Sequence, residues 1–297
     1  MSAPPFDTFL SVGDITLRVV SDDRRLASKP GGSLALFSSD RGEADVEMRA
    51  SWIDTAPDLP GRVLFDSGGA WQLLQSNGDF LFAFRSTVGG NTPYKIARFN
   101  SDFTSGDVHL YRRHFDEHPA AIAHPLQYPL DELLMIHLLS QGRGVEVHAC
   151  GLLDSSGRAY LFAGQSGAGK STMARLWMDR PGTTLLSDER IVLRTDGDRI
   201  VAYGTPWQGD AHFASPASGE LAALFFLQHA PVHKVVPAIP SRAAARLFAC
   251  SLLPFHSTGA VERTMASVAQ VTRRTPCYEL SFAPDRSVVE VVARYMP

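Results

Sequence analysis

The stretch Tyr160-Leu161-Phe162-Ala163-Gly164-Gln165-Ser166-Gly167-Ala168-Gly169-Lys170-Ser171-Thr172 confines the chain to a narrow set of backbones. An apolar run of strand length passes through three glycines into a helical pattern that opens at Lys170 and continues through Met173-Ala174-Arg175-Leu176-Trp177. Such a turn points successive backbone N–H groups inward, and with the positive end of the following helix they form a concavity for phosphate oxygens. Gly164, Gly167 and Gly169 suit it, because the chain needs positive φ and close backbone approach there. Every fixed position of the phosphate-binding P-loop is present, with a strand before it and a helix after it. On that pattern Gly164, Ser166, Gly167, Ala168, Gly169, Lys170, Ser171 and Thr172 line a nucleotide site. Lys170 reaches the β- and γ-phosphates of ATP, and the Ser171 hydroxyl takes one position on Mg²⁺. Only four of the 28 Lys+Arg are lysines, Lys29, Lys95, Lys170 and Lys234, so a lysine at the motif position is less easily a coincidence.

At 297 residues the chain is long enough for one large or two ordinary domains. Its net charge of −3 lacks the basic footprint of a nucleic-acid or anionic-membrane binder. The longest apolar run, Leu221 to Leu227, is far short of the ~20 residues of a membrane span. The start, Met1-Ser2-Ala3-Pro4-Pro5-Phe6, lacks the basic and apolar regions of a signal peptide. Three cysteines without metal-ligand spacing read as reduced thiols, and the expected location is the cytoplasm. Cys150 follows His148 by two residues on one face of an expected strand, which permits a redox or nucleophilic pair, while a buried cysteine is ordinarily a small hydrophobe.

Residues 1–118 show short extended segments separated by turn signals, including Ile15–Val20 and Leu34–Phe37. The segments Ala70–Gln75 and Phe80–Arg85 flank Asn77-Gly78, a pair suited to a type I′ hairpin turn. A mostly antiparallel β domain is therefore expected over 1–118. Pro119, Pro125 and Pro129 punctuate the boundary to a second domain over 119–297, which opens with a helix from Leu130 to Leu139 that carries His137. In it Val145–Leu153 forms a hairpin with the strand that delivers the glycine loop. Arg190–Arg194 and Arg199–Tyr203 form another around Asp196-Gly197-Asp198. Leu221–Gln228 is too apolar for an edge and reads as a central strand with Val232–Val236 beside it. Ser241–Leu253 and Gly259–Arg274 read as helices, the first with Arg242 and Arg246 on one face, where they could clamp phosphate.

The strand Thr183–Ser187 ends in Asp188-Glu189, 17 and 18 residues past Ser171. An acid at the end of a strand adjacent to the P-loop strand is where a second metal-binding carboxylate belongs, so Asp188 is a Mg²⁺ candidate beside Ser171. Glu189 is a candidate base for an attacking hydroxyl. Asp210 and His212, in the small and aromatic loop Gly204–His212, are candidates for substrate or metal contact, or plain surface.

Taken together, His148, the loop Gly164–Ser171 and the run Leu185-Leu186-Ser187-Asp188-Glu189 resemble the HPr kinase/phosphorylase and phosphoenolpyruvate carboxykinase superfamily over roughly residues 129–297. The resemblance implies an α/β kinase domain with a mixed sheet, α+β for the whole chain. It also implies His148 close to the transferred phosphate, which makes His148, Lys170, Asp188 and Glu189 the catalytic candidates. The family's acid pair falls on Asp188 and Glu189, and which of them is the base stays open. The family's following glycine-rich segment is replaced by Thr205-Pro206-Trp207-Gln208-Gly209, which points away from HPr itself as acceptor and towards divergent kinases that modify a peptide.

Three functions follow as expectations. The first is a Mg²⁺-dependent kinase moving the ATP γ-phosphate to a serine hydroxyl of a protein or peptide, without nucleic-acid or membrane partners and with self-association left open. The second is a small-metabolite kinase, for which a deep enclosed pocket would speak. The third is a nucleotide-dependent ATPase or regulator. A transporter motor would carry a Leu-Ser-Gly-Gly-Gln-like signature between 172 and 188, and none is present.

Overall fold

A computed structural model describes residues 5–39, 42–86 and 92–296. Residues 1–4, part of the start in which no leader is read, lie outside them. The chain divides into two compact units, 1–135 and 136–297, each built on a large mixed sheet. The expected boundary at 118/119 and this one differ by the proline-punctuated segment, which packs with the first unit.

The first unit contains strands Phe6–Val12 (β1), Ile15–Ser21 (β2), Ser38–Ser39 (β3), Val46–Ile53 (β4), Arg62–Asp66 (β5), Trp71–Ser76 (β6), Asp79–Phe84 (β7), Lys95–Phe99 (β8) and Ser105–Tyr111 (β9). They form one sheet in the order β3-β1-β2-β4-β9-β8-β7-β6-β5, parallel at β2–β4 and β4–β9 and antiparallel elsewhere. The β6–β7 turn has Asn77 and Gly78 at φ +54° and +92°, the two left-handed positions that the Asn-Gly pair anticipates. Leu34–Phe37 is not a strand; it lies in a 3₁₀ turn, Gly32–Phe37. Four apolar residues between glycines and serines are too few for periodicity to separate a strand from a helical turn. A short helix, Arg112–Glu117 (α1), follows the sheet.

Lys95, one of the four lysines, is buried. Its Nζ donates to the carbonyls of Pro125 (3.2 Å) and Gln127 (2.9 Å) and stands 4.6 Å above the Phe84 ring, tying the proline segment to the sheet. Burial pushes this ammonium down to about 7, with Asp131 opposing in part.

The second unit begins within the helix Leu130–Leu138 (α2). Its strands are Val145–Leu153 (β10), Ala159–Ala163 (β11), Thr184–Ser187 (β12), Arg190–Asp196 (β13), Arg199–Tyr203 (β14), Ser218–His229 (β15), Lys234–Pro237 (β16), Ser251–Leu252 (β17) and Cys277–Phe282 (β18). Its helices are Lys170–Trp177 (α3), Pro240–Ala249 (α4), Thr258–Arg274 (α5) and Ser287–Ala293 (α6). The strand order is β11-β10-β13-β14-β15-β18-β16, and β11 also pairs in parallel with β15. Alternation of side chains sorts the core into two layers. Leu161 and Ala163 of β11, with Leu224 and Phe226 of β15, join Ala243 and Leu247 of α4 and Val268 and Val271 of α5. Tyr160 and Phe162, with Phe225 and Leu227, join Met173 and Trp177 of α3 and Val288 and Val292 of α6. Both faces of the central strands are covered, which is why Leu221–Leu227 is a continuous apolar run.

Three expectations need correction. The 232–236 segment does not pair with β15; β16 pairs with β18, which occupies the edge of β15 itself. The helix from Ser241 stops at Ala249, and Ser251–Leu252 pairs with β10. The strand before Asp188, β12, pairs with β10 and not with the glycine-loop strand β11, because β10 lies between them, pairing with β11 along its other edge.

Because unfolded Lys95 titrates near the ordinary lysine value and the folded one near 7, the unfolded chain binds more protons between these limits. Stability of the first unit is expected to rise with pH over that window, by at most about 1.4 kcal/mol per pH unit. Denaturant unfolding at a series of pH values checks this, with Lys95→Met expected to flatten the rise.

Candidate functional site

The glycine loop leaves β11 between β10 and β15 and enters α3 at Lys170. Gly167 and Gly169 take φ +80° and +98°, and a Cβ at Gly169 would lie 2.6 Å from the Phe282 ring. A Cβ at Gly164 would lie 2.5 Å from that of Ala168, so the loop closes on itself only with glycine there. The turn is pinned by Ala168 N–H to Gln165 O (3.1 Å) and by His229 Nε2 against Gly167 O (2.8 Å). Helix α3 has no side-chain cap, and the Ser171 hydroxyl has no hydrogen-bond partner among the described residues. The first turn therefore presents uncapped N–H groups and a free hydroxyl, the arrangement that attracts an anion and its cation. Beside the loop is a groove of about 400 Å³ lined by Gly164–Ala168, Leu227, Arg246, Ala249 and Cys250. Arg246 donates to Leu227 O (3.0 Å) and lies over the Phe226 ring, whereas Arg242 pairs with Glu279 (3.0 Å) and does not line the groove.

The remaining candidates converge on Lys170. The buried Lys170 Nζ donates to Gln165 O (3.3 Å) and is 3.5 Å from Glu189 Oε2. Glu189 Oε1 is 3.2 Å from His148 Nδ1, and Arg190 Nη1 bridges the two, 2.5 Å from Glu189 Oε1 and 2.7 Å from Nδ1. The register explains this meeting: His148 of β10 is directly opposite Arg190 of β13, where cross-strand side chains touch. Burial works against ionisation of Glu189. Contact with the Arg190 guanidinium and the charge of Lys170 nonetheless hold the carboxyl well below the ordinary carboxylate range, so it is ionised throughout the neutral range. Arg190 is the residue that sequence reasoning missed. Its signal was its position two residues past Asp188 at the mouth of the hairpin.

Asp188 is elsewhere engaged. It is fully buried, and its carboxylate accepts backbone N–H groups from Gly209 (3.0 Å), Ala211 (2.7 Å) and Phe213 (3.2 Å). The loop 204–215 folds round this anion: a Cβ at Gly209 would lie 2.8 Å from Asp188 Oδ2, and one at Gly204 would lie 2.0 Å from Ser215 O. Asp210 and His212 are exposed there and contribute main-chain carbonyls, to Arg175 and Gln208. Cys150 belongs to the apolar layer with Phe162 and Met173, and burial pushes its thiol up, so it is a small core hydrophobe and no partner of His148.

No cluster of three His, Cys, Asp or Glu suited to a metal occurs among the described residues. Mg²⁺ ordinarily needs only one or two protein ligands with phosphate and water completing the shell. The Ser171 hydroxyl fits that need, while three of the Asp188 acceptor positions are taken by its loop.

No protein-family model matches the chain, and no curated protein matches it. Among solved structures it is similar to the Hpr(Ser) kinase/phosphatase from Coxiella burnetii, at 13% identity and a TM-score of 0.31, over 51% of this chain and 87% of that one. A likeness at that level carries no argument about activity. No helix among the described residues is long and apolar enough to cross a membrane.

If Asp188 anchors its loop, Asp188→Asn replaces an acceptor with a donor facing those amides. Hydrogen exchange at Gly209, Ala211 and Phe213 is expected to quicken by about 10- to 100-fold, the loss of a charge-assisted hydrogen bond. Glu189→Gln is expected to leave these amides unchanged.

Proposed function

We propose that the chain is a kinase that transfers the γ-phosphate of ATP to a hydroxyl, most readily a serine on a protein or peptide. One observation carries this reading: the uncapped glycine-loop helix brings Lys170 to within 3.5 Å of Glu189, with His148 at the same carboxylate. A phosphate-binding cation and a permanently ionised acid at one place are what phosphoryl transfer requires, because most of the catalysis is positioning and charge neutralisation.

Each residue then has a task. The amides of Gly167–Thr172 and the Lys170 ammonium would bind the phosphates, and Arg246 would face them across the groove. Bound Mg²⁺ would supply charge neutralisation, with Ser171 as its protein ligand. Glu189 would accept a hydrogen bond from the acceptor hydroxyl and aim it. A carboxylate held well below its ordinary range by Arg190 and Lys170 is a weak proton acceptor, which suits orienting a nucleophile in a loose transition state better than full deprotonation beforehand. In this scheme Asp188 shapes the loop 204–215 and Glu189 does the work on the hydroxyl.

The test is transfer of γ-labelled phosphate from Mg·ATP into a lysate of the source organism. Label on a polypeptide is expected with the parent and not with Lys170→Ala, and Glu189→Gln is expected to slow transfer by about 10²- to 10⁴-fold. Label confined to free phosphate would replace this reading with an ATPase, and label on a small molecule with a metabolite kinase. Equal transfer by Lys170→Ala would remove the loop from the reaction.

A further inference from the structure

Behind Glu189 lies a second buried carboxylate that the scheme above does not use. Glu146 is fully buried on β10, two residues before His148 and so on the same face of the strand. Its Oε1 is 3.7 Å from Arg190 Nε, and the same guanidinium reaches on through Nη1 to His148 Nδ1 at 2.7 Å. A guanidinium carries donors only. At 2.7 Å from Nη1, Nδ1 must therefore offer its lone pair. Glu189 Oε1, 3.2 Å from that nitrogen, would be its hydrogen-bond partner only if Nδ1 held a proton. The two arrangements exclude each other, and the shorter contact to a group that cannot accept decides for the lone pair. The ring N–H is then on Nε2.

We infer that Glu146 and Arg190 are a positioning pair that fixes His148 as its Nε2–H tautomer, so that His148 meets the phosphoryl group as a hydrogen-bond donor and takes no proton from the acceptor. The inference rests on the kinase reading for what His148 meets, and on the hydrogen-bond geometry alone for the tautomer. The same guanidinium donates to Glu189, so one buried carboxylate orients both the acid and the imidazole. A buried carboxylate and the guanidinium beside it restrain each other's direction, because in a low-dielectric interior their attraction falls as they separate.

Long-range ¹H–¹⁵N correlation spectra of the full chain read the tautomer directly, with the His148 signals assigned from His148→Gln. The parent is expected to give the Nε2–H pattern. Glu146→Gln is expected to mix the tautomers, and the double variant Glu146→Leu/Arg190→Met, which removes both charges together, is expected to lose the pattern in favour of Nδ1–H directed at Glu189. An Nδ1–H pattern in the parent overturns the inference whether or not the variants fold. Retention of the parent pattern in either folded variant overturns it too. An arginine-dependent Nε2–H pattern in a protein that transfers no phosphate would leave the pair standing and remove the kinase reading.

Discussion

A strand that is apolar on both faces must be covered on both, and in the second unit that requirement positions everything else. Strands β11 and β15 run parallel in the middle of the sheet, sending Phe162 and Phe225 to one layer and Leu161 and Phe226 to the other. Helix α3 must fold back over the first layer and α4 over the second. The chain between β11 and α3 therefore turns at the end of the central strands, and Arg246 on α4 comes to the same end from the opposite face. A turn there has to be tight enough to start a helix at once, and Gly167 and Gly169 supply the left-handed conformations that allow it.

Charge is arranged around that turn with little redundancy. Lys170, Glu189, Arg190, His148 and Glu146 form one continuous set of contacts, all within the buried or half-buried interior of the second unit. Asp188, the neighbour of Glu189, turns away into three backbone amides. Asp188 and Glu189 sit in the bend between β12 and β13, where Ser187 Oγ accepts from the N–H groups of Glu189 and Arg190 (3.2 Å each), and the two side chains leave that bend towards different partners. The division of labour between an acid that shapes a loop and an acid that meets Lys170 follows from that geometry.

Much of this could be read in the sequence, for identifiable reasons. The glycine loop, the β10–β11 hairpin and the central strand were legible because each is a local pattern: glycine spacing, a short polar turn between apolar runs, an unbroken apolar run. The Asn77-Gly78 turn was legible for the same reason. What stayed hidden is set by pairing over long sequence separation. Nothing local tells that Arg190 stands opposite His148, 42 residues away, or that β12 pairs with β10 on the edge away from β11. The fate of Asp188 depends on amides more than 20 residues downstream, which no spacing rule reports. Leu34–Phe37 was misread because four residues contain too little periodicity.

The central claim is that the loop from Gly164 to Thr172 binds the phosphates of a nucleotide. The most direct measurement is a titration of the isotope-labelled chain with Mg·ADP, following the backbone amides by ¹H–¹⁵N correlation. Saturable shifts are expected, concentrated at Gly167, Gly169, Lys170, Ser171 and Thr172, and weaker ones when Mg²⁺ is withheld. Shifts confined to other residues, or none at a nucleotide concentration that saturates ordinary nucleotide sites, would contradict it.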